Sequence, residues 1–211
     1  MTFDASDNAV YFYTDSTIYS FVEKSSDVVS DTIDVPIKLI GNIDNNTART
    51  LDIVVDSTNA VEGQDFDILS PTVLEADSNY AHLKVLLYRT EDLQTDTKVI
   101  VFKLNETSDF KIAQLGGSRN THMVKFSDQY VMPSWWTTYL YGAYTLTRHK
   151  FYIDVFGSSK SYTEMGLAYG TVLYMLRAAT IEYNKTHSSP LSDENGVIVW
   201  ENASGAATLN W

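Results

Sequence analysis

The chain has 211 residues, 44% of them hydrophobic, enough to bury a sizeable core as one large domain or two small ones. Its formal charge of −12 is uneven: residues 1–110 hold 20 acids against 7 Lys and Arg, and the remainder 7 against 8. An acidic surface repels phosphate backbones, which argues against nucleic acid as a partner. The absence of cysteine excludes disulfides, thiolate metal sites and a Cys nucleophile. The apolar, uncharged run Met165–Leu176 has 12 residues, short of the roughly 20 that cross a bilayer.

In chain order, Val10–Tyr13 and Ile18–Val22 are aromatic, β-prone runs separated by Thr14–Thr17, an opening strand with a bulge or turn. Thr32–Ile40 alternates Ile33, Val35, Ile37 and Leu39, the period of a half-buried strand, and Pro36 inside it predicts a sheet edge. After the turn Gly41–Thr47, Arg49–Asp56 alternates again and stops at Ser57–Asp67. There Ser57, Thr58 and Asn59 can bond their own backbone, and Gly63 permits a positive φ. Thr72–Leu74, Tyr80–Tyr88 and Lys98–Leu104 complete about seven short strands, the signature of an antiparallel β-sandwich.

From Asp128 the pattern changes. Ser134–Tyr141 is dense in aromatics and predicts a short helix or an irregular packed segment. Thr145–Phe156 reads as a helix stopped by Gly157. Ser161 and Glu164 have capping-box spacing, and Met165, Ala168, Tyr169, Val172, Leu176, Ala179 and Tyr183 recur every three or four residues, predicting a helix from Ser161 to Asn184. Asp193–Gly196 is a turn before a late strand, Val197–Trp200. The fold class is therefore α+β in series: an immunoglobulin-like sandwich over 1–127, then a smaller helix-rich region over 128–211.

The order of a strand, Ala60-x-x-Gly63-x-Asp65-Phe66, a second strand, and a long pair closed by an acidic turn resembles the Calx-β fold. Leu86–Phe110, Ser127–Gly157 and Glu182–Trp200, with an R-T-x-x-L stretch at Arg89–Leu93, are similar to a Bacteroidetes family of envelope lipoproteins known as domain of unknown function 4843. The resemblance implies an outer-membrane address, surface or periplasmic, through a lipid anchor outside this chain. It also implies a place beside glycan-uptake proteins, and it supplies no catalytic residues. Asp15-Ser16-Thr17, Asp31-Thr32-Ile33 and Asp56-Ser57-Thr58 resemble O-glycosylation signals of exported proteins from such bacteria, in keeping with that address.

Two constellations carry possible chemistry. Calcium is bound by acidic loops in exchanger-type Calx-β domains, and a hard cation needs six to eight oxygens. Glu62, Asp65 and Asp67 on one corner and Glu91, Asp92 and Asp96 on a later turn are the candidate ligands. The consecutive acidic run of calcium-binding members is reduced here to Thr90-Glu91-Asp92, and Asp at a turn is more often structural. Second, Trp135, Trp136, Tyr139 and Tyr141, with Tyr130 and Tyr144, could form a platform on which sugar faces stack. The competing reading is that these rings fill a core. No other cofactor is expected.

Enzymatic signals are weak. His82, His122, His149 and His187 lack zinc-ligand spacing, and Ser118 lacks a nucleophile elbow. A glycan hydrolase would need paired carboxylates across a cleft. The sequence therefore predicts a non-catalytic envelope lipoprotein, a binding or accessory component of a glycan-uptake system. The alternatives are a cell-surface adhesion module recognising protein, with or without calcium, and a hydrolase.

Overall fold

The computed structural model describes residues 8–200, apart from 45, 114 and 116–118. Ser118 lies outside the described residues. The chain divides into two compact units, Met1–Phe21 with Val28–Gln129, and Val22–Asp27 with Tyr130–Trp211. The second unit thus borrows a short piece from the region assigned by sequence to the sandwich. Ser26 N–H donates to Asp154 Oδ1 at 2.8 Å, which ties that piece in.

The first unit is a β-sandwich of two stacked sheets. Its strands are β1 (Ala9–Phe12), β2 (Ser16–Ser20), β3 (Ser30–Ile40), β4 (Arg49–Thr50), β5 (Asp52–Thr58), β6 (Phe66–Ile68), β7 (Val73–Leu74), β8 (Tyr80–Tyr88), β9 (Lys98–Asn105), β10 (Lys111–Ile112) and β11 (Thr121–Ser127). One sheet has the order β10-β1-β3-β8-β6 and the other β2-β11-β9-β5, with β4-β7 as a short pair. Alternation produces the core: Val35, Ile37, Leu83, Val85 and Leu87 of one sheet join Ile100, Phe102, Leu104, Val124 and Phe126 of the other.

Two features depart from the sequence reading. The opening strand is two strands in different sheets, β1 and β2, and each pairs in parallel with a late strand, β10 and β11. The sandwich is therefore mixed at these positions. Pro36 lies in the interior strand β3, opposite His82, and not at an edge. The reason is where β1 ends. Tyr13 N–H donates to the Pro36 carbonyl at 2.9 Å, so the missing Pro36 N–H would have faced the Tyr13 carbonyl. Arg119 Nη1 donates to that carbonyl at 2.8 Å instead. A cation thus closes the gap in the ladder.

The second unit contains α1 (Thr138–Tyr141), α2 (Leu146–Phe156), α3 (Tyr169–Thr186) and a tight hairpin, β12 (Ser192–Asp193) with β13 (Gly196–Val197). Gly157 ends α2 at φ 66°, and the Thr145 side chain caps its start by accepting from Arg148 N–H. The capping-box pair also forms, with Ser161 Oγ donating to Glu164 Oε2 at 2.6 Å. It closes a turn that Gly166 (φ 68°) diverts, so α3 begins only at Tyr169. The predicted late strand is likewise shortened to β13, while Ile198 and Trp200 turn into the core. Arg148 holds the unit together: it pairs with fully buried Asp193 at 2.8 Å and donates to the carbonyls of Tyr141 and Val199.

Candidate functional site

The corner after β5 is built by side chains that imitate backbone. Thr58 Oγ1 accepts from Ala60 N–H at 2.8 Å, and Asn59 Oδ1 accepts from Val99 N–H at 2.6 Å. Gly63 adopts φ 81°, where a side chain would be strained. The turn thereby drives Asp65 inward to zero exposure, and its Oδ2 accepts from Val61 N–H at 2.8 Å.

The later acidic turn, a 3-10 turn over Glu91–Gln94, meets this corner. Thr90 Oγ1 lies 2.5 Å from Asp92 Oδ1 and 3.4 Å from Asp65 Oδ1, and its single proton serves the nearer oxygen. Between the two carboxylates stands Lys98, whose Nζ is 2.6 Å from Asp92 Oδ2 and 3.6 Å from Asp65 Oδ2. The hydrogen bond from Lys98 holds the Asp92 carboxyl below the usual range, helped by Thr90, and the Asp92 bond raises Lys98.

Of the six proposed calcium ligands, then, only Asp65 and Asp92 converge, and they converge on an ammonium. Asp67 accepts from the Tyr88 hydroxyl at 2.5 Å, while Glu62, Glu91 and Asp96 are exposed. Among the described residues, no three His, Cys, Asp or Glu gather as metal ligands. Two carboxylates around a lysine do not fit a cation that demands six or more oxygens. Sequence reading missed Lys98 because nothing local to it signals a partner about 30 positions away.

The R-T-x-x-L stretch proves to be scaffolding at the same place. Arg89 grips Asp128 with two bonds of 3.0 and 2.9 Å, Thr90 bonds Asp92, and Leu93 is fully buried.

The aromatic candidates are divided. Trp136 (5% exposed) and Tyr141 (0%) belong to the core of the second unit, Trp135 packs against it, and Tyr139 is 54% exposed. Ring centres of Trp136 and Tyr141 are 5.0 Å apart, and Trp135 and Tyr152 5.1 Å. Two of the four rings are thus inside a packed cluster, because this unit fills its centre with aromatics.

A serine–histidine pair also emerges that spacing did not flag. His149 Nε2 lies 2.7 Å from Ser159 Oγ, and its Nδ1 is 3.1 Å from the Tyr144 hydroxyl. Burial pushes His149 down to about 4, and its ring is walled by Trp136 and Tyr130. A base so weakened is poorly matched to activating a hydroxyl near neutral pH.

The elements define a two-sheet β-sandwich followed by a helical unit. The chain belongs to the family described as Domain of unknown function (DUF4843), which matches residues 3–158. No curated protein matches the chain. Similar solved structures include a Bacteroides ovatus ATCC 8483 protein assigned provisionally to carbohydrate binding (TM-score 0.43, 15% identity, 58% of this chain and 37% of that one). CBD12 of CALX1.2 is another (0.42, 15%, 57% and 44%). A third is a two-domain protein of unknown function from Bacteroides fragilis NCTC 9343 (0.43, 15%, 60% and 47%). The chain spans less than half the length of each.

Proposed function

We propose that the protein is a non-catalytic binding module of the cell envelope, an accessory component of a glycan-uptake system. It would be held at the outer membrane by a lipid anchor outside this chain. The observation that carries the reading is Lys98: the point where Asp65 and Asp92 converge is occupied by the protein's own ammonium, so the sandwich presents surfaces without needing a metal to set them. Membership of the family supports the envelope address. Isothermal titration and a glycan array with the full chain test the proposal. Binding to at least one polysaccharide, with no heat and no change in melting temperature on adding calcium, is expected. Silence across the array removes the glycan role, and a calcium-dependent rise in melting temperature overturns the metal-free reading.

A further inference from the structure

The outer face of the five-stranded sheet carries side chains that the core does not use. Tyr11, Lys38 and Tyr80 stand directly opposite one another across β1, β3 and β8. In the neighbouring row Pro36 stands opposite His82, and Tyr13 joins it through its bond to the Pro36 carbonyl. Residues two apart on a strand share a face, and the intervening Phe12, Ile37 and Ala81 are buried, so these six look outward. Three adjacent strands span roughly 10 Å, the reach of two linked sugar rings.

Tyr13 and Tyr80 are 47% and 40% exposed. Lys38 Nζ lies 4.3 Å from the centre of the Tyr13 ring and 4.7 Å from that of Tyr80. Lys98, Lys103, Lys111 and Lys185 each hold a carboxylate. Lys38 forms no ion pair among the described residues, in a chain of net charge −12. The Tyr80 hydroxyl raises it above the usual lysine range, so it stays charged. Neither row contains an acid: Asp34 is opposite Lys84 further along, and the Asp44 carboxylate accepts from the Asn46 and Thr47 amides. β3 and β8 are interior strands with their backbone bonds in use, so an added peptide strand has no place here. What remains is a face of exposed rings around the Lys38 ammonium.

The geometry points to this face as a binding site for a saccharide chain bearing carboxylates, a uronic-acid polymer. Sugar rings rest their apolar faces on Tyr13 and Tyr80, and a carboxylate meets the Lys38 ammonium. This rests on the glycan-binding reading above and adds the class of glycan and the residues that select it.

The test is affinity electrophoresis of the full chain in gels containing polygalacturonate, its methyl-esterified form, or polyglutamate. Retardation by polygalacturonate alone is expected. Lys38→Met and Tyr80→Ala should each weaken it at least tenfold while the melting temperature stays within a few degrees, and Tyr174→Ala, on exposed α3 surface, should leave it unchanged. Equal retardation of Lys38→Met overturns the site. Equal retardation by polyglutamate shows attraction to any polyanion and overturns the sugar. Equal retardation by the esterified polymer overturns the carboxylate while leaving the broader glycan reading standing, and no retardation in any gel overturns the inference without touching binding to neutral glycans on the array.

Discussion

Replacing Lys98 with Met keeps the aliphatic stem and deletes the charge between Asp65 and Asp92. Asp65 is fully buried and would keep one strong bond, from Val61 N–H. Breaking a buried pair by removing one partner costs about 3–5 kcal/mol. The Lys98 side chain is 14% exposed and Asp92 40%, so water screens part of the loss and about 2–4 kcal/mol is expected. All four tryptophans follow residue 130 in the sequence and none belongs to residues 1–127, so urea unfolding is best followed by far-UV circular dichroism on the full chain. The midpoint should fall by roughly 1–3 M with an unchanged slope. Adding Asp65→Asn to Lys98→Met removes the stranded charge and should recover most of the loss. A single variant within about 0.5 kcal/mol of the parent, or a double variant no better than the single, would refute the reasoning.

Other outcomes follow from the same geometry. Asp92 is depressed and Lys98 raised, so the Lys98→Met penalty should be full between about pH 4 and 10. It should fade as acid protonates Asp92 or base discharges Lys98, read from melts across pH. His149 is held neutral down to about 4 against an unfolded value near 6.5. Its share of stability is intact above pH 6.5 and is lost as pH falls towards 4, by up to about 3 kcal/mol, and His149→Gln should flatten that slope in tryptophan-monitored melts. Arg148→Met strands Asp193 and frees two carbonyls, costing about 3–5 kcal/mol and shifting the emission of Trp200, whose ring lies 5.4 Å from the guanidinium. Arg119→Ala should cost about 1 kcal/mol beside Pro36, and less in a Pro36→Val background that restores an N–H to the Tyr13 carbonyl, measured as a double-mutant cycle.

What the sequence made legible was local. The alternation of Ile33, Val35, Ile37 and Leu39 placed β3, and Thr145 and Gly157 bracketed α2 as their chemistry requires. What it hid was decided by distant partners. Pro36 is tolerated in an interior strand because Arg119, 83 positions on, reaches the orphaned carbonyl. Ser161 and Glu164 satisfied each other as their spacing demands, but Gly166 turned the chain before a helix could start. The arrangement of the acidic corner was hidden in the same way: six acids can be read from the sequence, whereas the lysine that lies between two of them cannot. Trp135 and Trp136 could not be assigned to surface or core without knowing which rings from α1 and α2 surround them.

The split opening strand bears on how the molecule is made. β1 can pair with β3, but β2 pairs with β11 alone, Ser16 opposite Met123, so Ser16–Ser20 has no sheet partner until about a hundred further residues are synthesised. Such distant pairings slow folding, and a chain cut short after β9 would expose two unsatisfied edges prone to aggregation.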